Sequence, residues 1–251
     1  MAEKIKLVAV SYLNTIPFLY GIEQDKSLRN QMDLSIEYPS LCADLLIQDK
    51  ADISLIPITE IPSLSYSEII GNHCIGANGK VNSVMLYSDC PLEEITNIAL
   101  DYQSRTSVML ARVLSKFFWK IDVDFENTQE GYIDSINGTN AGVVIGDRAF
   151  DLNNTFAYQY DLSEEWFKFT NLPFVFACWV ANKDLSQEFK SCFSKAIEQG
   201  VNSKVKAIEW YQEKNGTSVD LDKYLNADIS YELNANKRKA LSLFLDLVSM
   251  L

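Results

Sequence analysis

The sequence predicts an α/β protein built as two lobes. Short apolar strands alternate with amphipathic helical segments along most of the chain, and this alternation favours largely parallel sheets. The 251 residues are enough for one large domain or for two medium lobes. The apolar run at 173–181 is too long for a simple edge strand and suits a segment that crosses between lobes.

The hydrophobic pattern gives the order of the elements. Pro39 marks a helix start, because its fixed φ suits the first helical position. Phe189 and Phe193 recur at helical spacing in the first of two closing amphipathic helices, as do Phe244 and Val248 in the second, and we expect both stripes to pack in the core. The predicted strands are 7–12, 53–56, 81–87, 98–100 and 143–145, and two further helices are predicted at 40–48 and 106–118.

Composition and charge argue against several classes of binding partner. The formal net charge of −12 disfavours nucleic acid and anionic membrane surfaces. No apolar stretch approaches transmembrane length, and no secretory signal is visible at the start, so we expect a cytoplasmic protein with no membrane partner. The five scattered cysteines form no metal-type pair and are typical of small buried residues in a reducing compartment. The single histidine, His73, lies in a Gly/Asn-rich stretch that predicts a solvated loop.

The segment 100–107 carries the clearest signal for a site. It runs from a strand end through a polar turn into a helix, so Ser104, Arg105, Thr106 and Ser107 crowd a predicted helix N-terminus. Backbone N–H groups and the positive end of the helix dipole favour a bound carboxylate or phosphate there. The alternative is an ordinary helix cap followed by a surface arginine, and the segment alone does not decide between them.

Other polar residues also follow predicted strands. Asn14 and Asp147 follow two of them, and Ser83 lies within a third. Ligands of open α/β sheets bind outside the carboxyl ends of the strands, so residues far apart in sequence can converge on one cleft between two lobes. The pattern therefore predicts a binder of a small anion.

Several of these stretches together resemble one known family. Ser11-Tyr12-Leu13-Asn14-Thr15-Ile16-Pro17 is similar to the opening motif of the MqnA family. A mild departure is Lys50, where that family usually has glycine. The other matching segments occur in family order at 51–58, 79–84, 100–101, 104–107, 145–149 and 172–179.

The resemblance implies an activity and a fold. MqnA proteins are chorismate dehydratases of the futalosine route to menaquinone, and they convert chorismate to 3-[(1-carboxyvinyl)oxy]benzoate. Their fold is similar to that of type 2 periplasmic binding proteins, with two α/β lobes, a cleft between them and two crossings. We therefore expect lobe I at 1–88 plus 177–251 and lobe II at 89–176.

The resemblance also implies roles for the polar residues. Asn14 and Ser83 are expected to hold the reacting ring as catalytic residues, and the segment 104–107 is expected to bind a substrate carboxylate. Asp147 is expected to contact the substrate and is one candidate for the general base. Because no motif places another base, a carboxylate of the substrate itself is the second candidate. The dehydration makes an aromatic ring and needs no redox cofactor, and no dinucleotide fingerprint or metal cluster is visible in the sequence.

Two rival functions remain open at this point. A non-catalytic binding protein of the same fold would capture a small carboxylate without changing it. A related enzyme that cleaves a futalosine-type intermediate would be expected to carry histidine near the first strand end, where this chain has Asn14. The sequence fits either a monomer or a homodimer.

Overall fold

A computed structural model describes residues 4–152 and 154–251 of the chain. The first three residues lie outside the described residues. They belong to the segment in which the sequence analysis expected no export signal. The strands, in chain order, are β1 Ile5–Val10, β2 Met32–Glu37, β3 Ile53–Pro57, β4 Glu68–Ala77, β5 Val84–Ser88, β6 Asn97–Leu100, β7 Asp124–Asn127, β8 Asn140–Ile145, β9 Tyr158–Asp161, β10 Phe174–Ala181 and β11 Ser230–Glu232.

The helices mostly follow the apolar periodicity of the sequence. The helix expected over 106–118 keeps α form only to Val113 and continues as a wider, π-helical turn at Leu114–Trp119. Within the described ranges, no helix is long and apolar enough to cross a membrane. The α-helices are α1 Ile16–Gln24, α2 Lys26–Gln31, α3 Pro39–Ile47, α4 Thr106–Val113, α5 Arg148–Asp151, α6 Leu162–Thr170, α7 Gln187–Asn202, α8 Lys204–Gln212, α9 Leu221–Lys223 and α10 Ala235–Val248.

The chain divides into two units, each with its own sheet, which confirms the predicted α/β fold of two lobes. Unit 1 comprises the described residues up to Gly76 together with Phe176–Asn234. Unit 2 comprises the described residues of Ala77–Val175 together with Ala235–Leu251.

These boundaries differ from the expected ones. Residues 77–88 and 235–251, which were expected in lobe I, belong to unit 2. Strand β5 pairs with β8 and β9 of the unit 2 sheet. Phe244 of α10 lies against Trp166 of α6 with ring centroids 5.7 Å apart. Strand pairing and aromatic packing therefore decide which unit each segment belongs to. Neither can be read from the hydrophobic pattern of the sequence.

The sheet of unit 1 has the order β11-β4-β10-β3-β1-β2. Strand β1 runs parallel to both β2 and β3, whereas β10 runs antiparallel to β3 with Ala177 opposite Pro57. All eight residues of β10 are buried, because the strand lies inside the sheet. The long apolar run is thus a central strand, and the sheet is mixed rather than largely parallel.

The sheet of unit 2 has the order β7-β6-β8-β5-β9. Strand β6 runs parallel to β7 and β8, and β5 runs antiparallel to β8 and β9. Strands β6, β7, β8 and β9 therefore all end at one edge of the sheet, where β5 begins.

Helices α1 and α7 of unit 1 touch through their backbones. A Cβ atom added to Gly200 would lie 1.9 Å from the carbonyl oxygen of Pro17, and one added to Gly21 would lie 2.0 Å from the carbonyl oxygen of Ala196. Since real Cβ atoms do not approach so closely, only glycine permits this contact.

The cysteines match the expectation of small buried residues. All five are free thiols, and four of them are buried. The Cys42 sulfur lies 3.5 Å from the carbonyl oxygens of Ala9 and of Glu37. Burial raises the pKa of the Cys42 thiol to about 12, so this group stays protonated at neutral pH.

Candidate functional site

The carboxyl edge of the unit 2 sheet collects six of the seven predicted site residues. Residues 104–107 follow β6, and Asp147 follows β8. Ser83 immediately precedes β5, and its carbonyl oxygen accepts a hydrogen bond of 2.9 Å from the Gly146 N–H. The strand expected over 81–87 begins later, at Val84, and the backbone of Asn82 is left-handed with φ 61°. The structure therefore brings these residues to one edge, as strand order predicts.

A buried carboxylate fastens this edge together. Asp101 accepts hydrogen bonds from the N–H groups of Gln103, at 3.0 Å, and of Ile145, at 2.9 Å. The guanidinium Nη2 of Arg148 donates to both oxygens of Asp101, at 2.8 and 2.7 Å. The Asp101 side chain is fully buried and that of Arg148 is 28% exposed. One side chain thus joins the end of β6 to the end of β8 and to the turn that leads into α4.

The turn before α4 contains the predicted anion-binding segment. The hydroxyl of Ser104 accepts a hydrogen bond of 3.0 Å from the Ser107 N–H, so Ser104 does cap the helix. Thr106 and Ser107 are buried, while Arg105 is half-buried. The hydroxyl of Ser107 has no hydrogen-bond partner among the described residues. The capping function is therefore observed, and the hydroxyl and the remaining N–H groups at this helix start are suited to a carboxylate.

Asp147 is half-buried at the same edge. It follows Gly146, whose φ of 69° turns the chain sharply after β8. Although an aspartate at this position commonly caps the next helix, its side chain makes no cap hydrogen bond to the described helix α5. Its carboxylate is therefore not committed to that role.

Asp161 is a second buried carboxylate at this edge that the sequence reasoning missed. Its oxygens accept hydrogen bonds from the N–H groups of Val81, Asn82, Ser163 and Glu164, at 2.7 to 3.1 Å. Burial raises the pKa of the Asp161 carboxyl, although the backbone hydrogen bonds act in the opposite direction. An aspartate three residues before a glutamate is a signature of a helix start and could have revealed the capping half of this role.

Asn14 lies at the corresponding edge of unit 1, just after β1. It is 9% exposed and sits in a 3-10 turn, Leu13–Thr15. Its side-chain oxygen accepts a hydrogen bond of 3.1 Å from the Thr15 hydroxyl, and its backbone oxygen accepts one of 2.8 Å from the Tyr231 hydroxyl. No described residue accepts a hydrogen bond from the Asn14 amide nitrogen. Asn14 thus keeps two N–H donors for a ligand.

His73 is not the loop residue that the sequence predicted. It lies within β4, half-buried, and pairs in register with Glu232 of β11. The glycines and asparagine around it suggested a loop, yet β11, more than 150 residues later in the chain, completes a strand pair there.

Comparisons with known proteins agree on a family and a fold. A model of a family described as menaquinone biosynthesis matches residues 5–249. A chorismate dehydratase of Campylobacter jejuni is 26% identical over 245 residues, which cover 94% of this chain and 93% of that protein. Protein AF1704 of Archaeoglobus fulgidus has a TM-score of 0.76 at 15% identity, over 99% of this chain and 98% of that one. The Candida albicans CA3427 gene product, described as having the generic periplasmic binding protein fold, has a TM-score of 0.65 at 13% identity, over 99% and 91% of the two chains.

Proposed function

The chain belongs to the menaquinone biosynthesis family, and from that premise we propose that it is a chorismate dehydratase. The observation that carries the proposal is the gathering of hydroxyl and backbone donors at the carboxyl edge of the unit 2 sheet. The similarity to the Campylobacter jejuni chorismate dehydratase over nearly the whole of both chains supports it. The proposed reaction removes water from chorismate and leaves 3-[(1-carboxyvinyl)oxy]benzoate.

The chemistry of the proposed substrate defines what the residues must do. Chorismate carries a ring carboxylate and an enolpyruvyl carboxylate. The base takes the hydrogen of the ether-bearing ring carbon, and the adjacent hydroxyl leaves with a proton as water. The departing hydrogen is conjugated through a ring double bond to the ring carboxylate, so its removal moves negative charge onto that group. Donors placed at the ring carboxylate therefore stabilise the transition state more than the substrate.

The proposed donors are the amide, hydroxyl and backbone N–H groups that lie where strands end in the two sheets. Asn14 donates through its side-chain amide, and Ser83 through its hydroxyl, to the reacting ring. A substrate carboxylate binds at the start of α4, where Thr106 and Ser107 supply hydroxyls and the helix supplies N–H groups. Arg105 shapes this segment and adds positive charge beside it.

In this proposal a carboxylate accepts the proton from the ether-bearing ring carbon. The favoured acceptor is the carboxylate of the substrate's own enolpyruvyl group. It lies close to the reacting carbon, and such internal placement gives a high effective concentration. Asp147 is the alternative base on the protein. Asp147→Asn should therefore keep most of the turnover, and a variant that still binds chorismate but no longer turns it over would identify Asp147 as the base instead.

Loss of a donor to the reacting ring should be costly for catalysis. Asn14→Ala and Ser83→Ala are each expected to lower kcat/KM about 100-fold, as for one donor to a developing negative charge, or about 2.7 kcal/mol. Steady-state kinetics with chorismate measures the effect, and Asn30→Ala on the exposed surface of α2 serves as the control. Either assignment would be rejected if the variant stayed within about threefold of the parent, under ~0.7 kcal/mol.

Tyr231 is expected to act as a positioning residue for Asn14. Its phenol is 3% exposed and its ring lies edge-on to Phe18, with centroids 5.3 Å apart. Tyr231→Phe removes only the hydroxyl that holds the Asn14 carbonyl, so we expect kcat to fall about tenfold, or ~1.4 kcal/mol, while KM changes little. The free energy of unfolding should drop by about 1 kcal/mol. Tyr20→Phe is the matched control, and a loss of stability without a change in kcat would refute the positioning role.

The direct test is to mix the purified protein with chorismate and to follow the products by mass spectrometry. A product lighter by one water and absent without the protein is the expected result. Chorismate that binds and survives unchanged would replace the proposal with that of a non-catalytic carboxylate-binding protein. Chorismate that neither binds nor reacts would exclude both.

A further inference from the structure

Unit 2 contains a cavity at the opposite end of α4 from the predicted anion-binding turn. Its volume is about 520 Å³, which lies within the usual range of small-molecule sites. From Thr106 to Lys120 the helical segment rises by roughly 20 Å, so the cavity is distinct from the site proposed above. Its lining includes Arg112, Ser115, Lys116, Lys120, Phe125 and Leu251.

Three cations share this cavity in a strongly acidic chain. The protein has 22 lysines and arginines against 34 aspartates and glutamates, yet Arg112, Lys116 and Lys120 form an ion pair with no aspartate or glutamate of the described residues. Lys116 donates instead to the Met250 carbonyl oxygen at 2.7 Å and to an oxygen of Leu251 at 3.4 Å. Asp122 and Leu251 also line the cavity, and with both of their carboxylates counted the three cations still leave an excess of positive charge. Like charges four residues apart on a helix repel each other, so a bound anion would relieve a real cost.

One residue of the cavity lining, Ser115, has a buried hydroxyl without a hydrogen-bond partner among the described residues. Ser115 is 2% exposed. A buried polar group without a partner costs free energy, and a ligand oxygen would satisfy it. Phe125, over which the Arg112 guanidinium lies at 4.4 Å, adds an apolar wall together with Ile121 and Val123.

The backbone beside the cavity departs from regular helix. The π-helical turn Leu114–Trp119 carries both Ser115 and Lys116, and Lys120 ends it with a left-handed φ of 56°. Such turns and left-handed residues with side chains are disfavoured, and they concentrate at functional sites. The proposed dehydratase site does not account for this local cost.

We propose that this cavity binds a small organic carboxylate. Arg112, Lys116 and Lys120 supply the charge, Ser115 supplies a hydroxyl, and the apolar wall takes the hydrocarbon part of the ligand. The wall distinguishes this ligand class from an inorganic anion, which would use the cations alone.

The test is a titration of the protein with 4-fluorobenzoate followed by fluorine NMR. The double variant Lys116→Gln/Lys120→Gln is expected to raise Kd at least tenfold. The matched control Lys26→Gln/Lys206→Gln removes two exposed lysines of unit 1 and should leave Kd unchanged. Ser115→Ala should weaken binding about threefold without lowering the thermal midpoint, since the hydroxyl has no partner to lose. Inorganic phosphate should fail to displace the probe at equal concentration.

A further variant distinguishes binding of the probe in the cavity from binding at the proposed dehydratase site. Asn14→Ala/Ser83→Ala should keep the full affinity for 4-fluorobenzoate. If that variant loses the probe while Lys116→Gln/Lys120→Gln retains it, the cavity is not a site. Absence of binding to the parent protein at millimolar probe, or equal displacement by phosphate, would also overturn the proposal. None of these outcomes depends on turnover of chorismate.

Discussion

Replacing Asp101 with asparagine should lower the free energy of unfolding by about 4 kcal/mol, as when a buried ion pair loses one partner. The Asp101 carboxylate accepts from two backbone N–H groups and from Arg148. An asparagine keeps the shape but turns an NH2 group toward donors and leaves the guanidinium without its counter-charge. The ends of β6 and β8 would then no longer be fastened together, so we also expect chorismate turnover to fall at least tenfold.

Urea denaturation measures the first effect and steady-state kinetics the second. Asp134→Asn, at an exposed position of the same unit, is the control and should change neither quantity by much. If the free energy of unfolding of Asp101→Asn stayed within about 1 kcal/mol of the parent value, the pair between Asp101 and Arg148 would behave as a surface ion pair.

Replacing Gly200 with alanine is expected to destabilise unit 1 by about 3 kcal/mol or more, the upper range for overpacking a core. The new Cβ would lie 1.9 Å from the Pro17 carbonyl oxygen, and backbone atoms cannot rotate aside as a flexible side chain can. Alanine's better helix propensity returns only about 1 kcal/mol. The contact between α1 and α7 must therefore open.

The matched control is Gly216→Ala. A Cβ at Gly216 meets nothing within 4 Å, so that variant should unfold at the same urea concentration as the parent. Chemical denaturation followed by tryptophan fluorescence compares the two. Equal midpoints for both alanine variants would show that the two helices can move apart at little cost.

Local patterns carried the prediction of individual elements and failed where distant residues meet. Polar residues after strands predicted the edge of unit 2, because parallel strands end together. The hydrogen bonds by which Asp101 and Asp161 hold that edge together were not predicted. Arg148 lies 47 residues from Asp101 and Asp161 lies 80 residues from Val81, so no local pattern links them. Likewise the stripe on α10 predicted burial but not that Phe244 packs in unit 2. Periodicity shows that a face is covered and does not show what covers it.

The position of β10 has a consequence for how the protein is made on the ribosome. Strand β10 lies between β4 and β3, so the sheet of unit 1 remains split until residues 174–181 have been synthesised. Unit 2 in turn waits for Phe244, near the end of the chain, to complete its aromatic cluster with Trp166 and Phe174. Neither lobe can close before these residues have been synthesised, and the nascent chain carries open strand edges for that time. A fold assembled from such distant segments forms slowly, and its unpaired strand edges are prone to aggregation until it has formed.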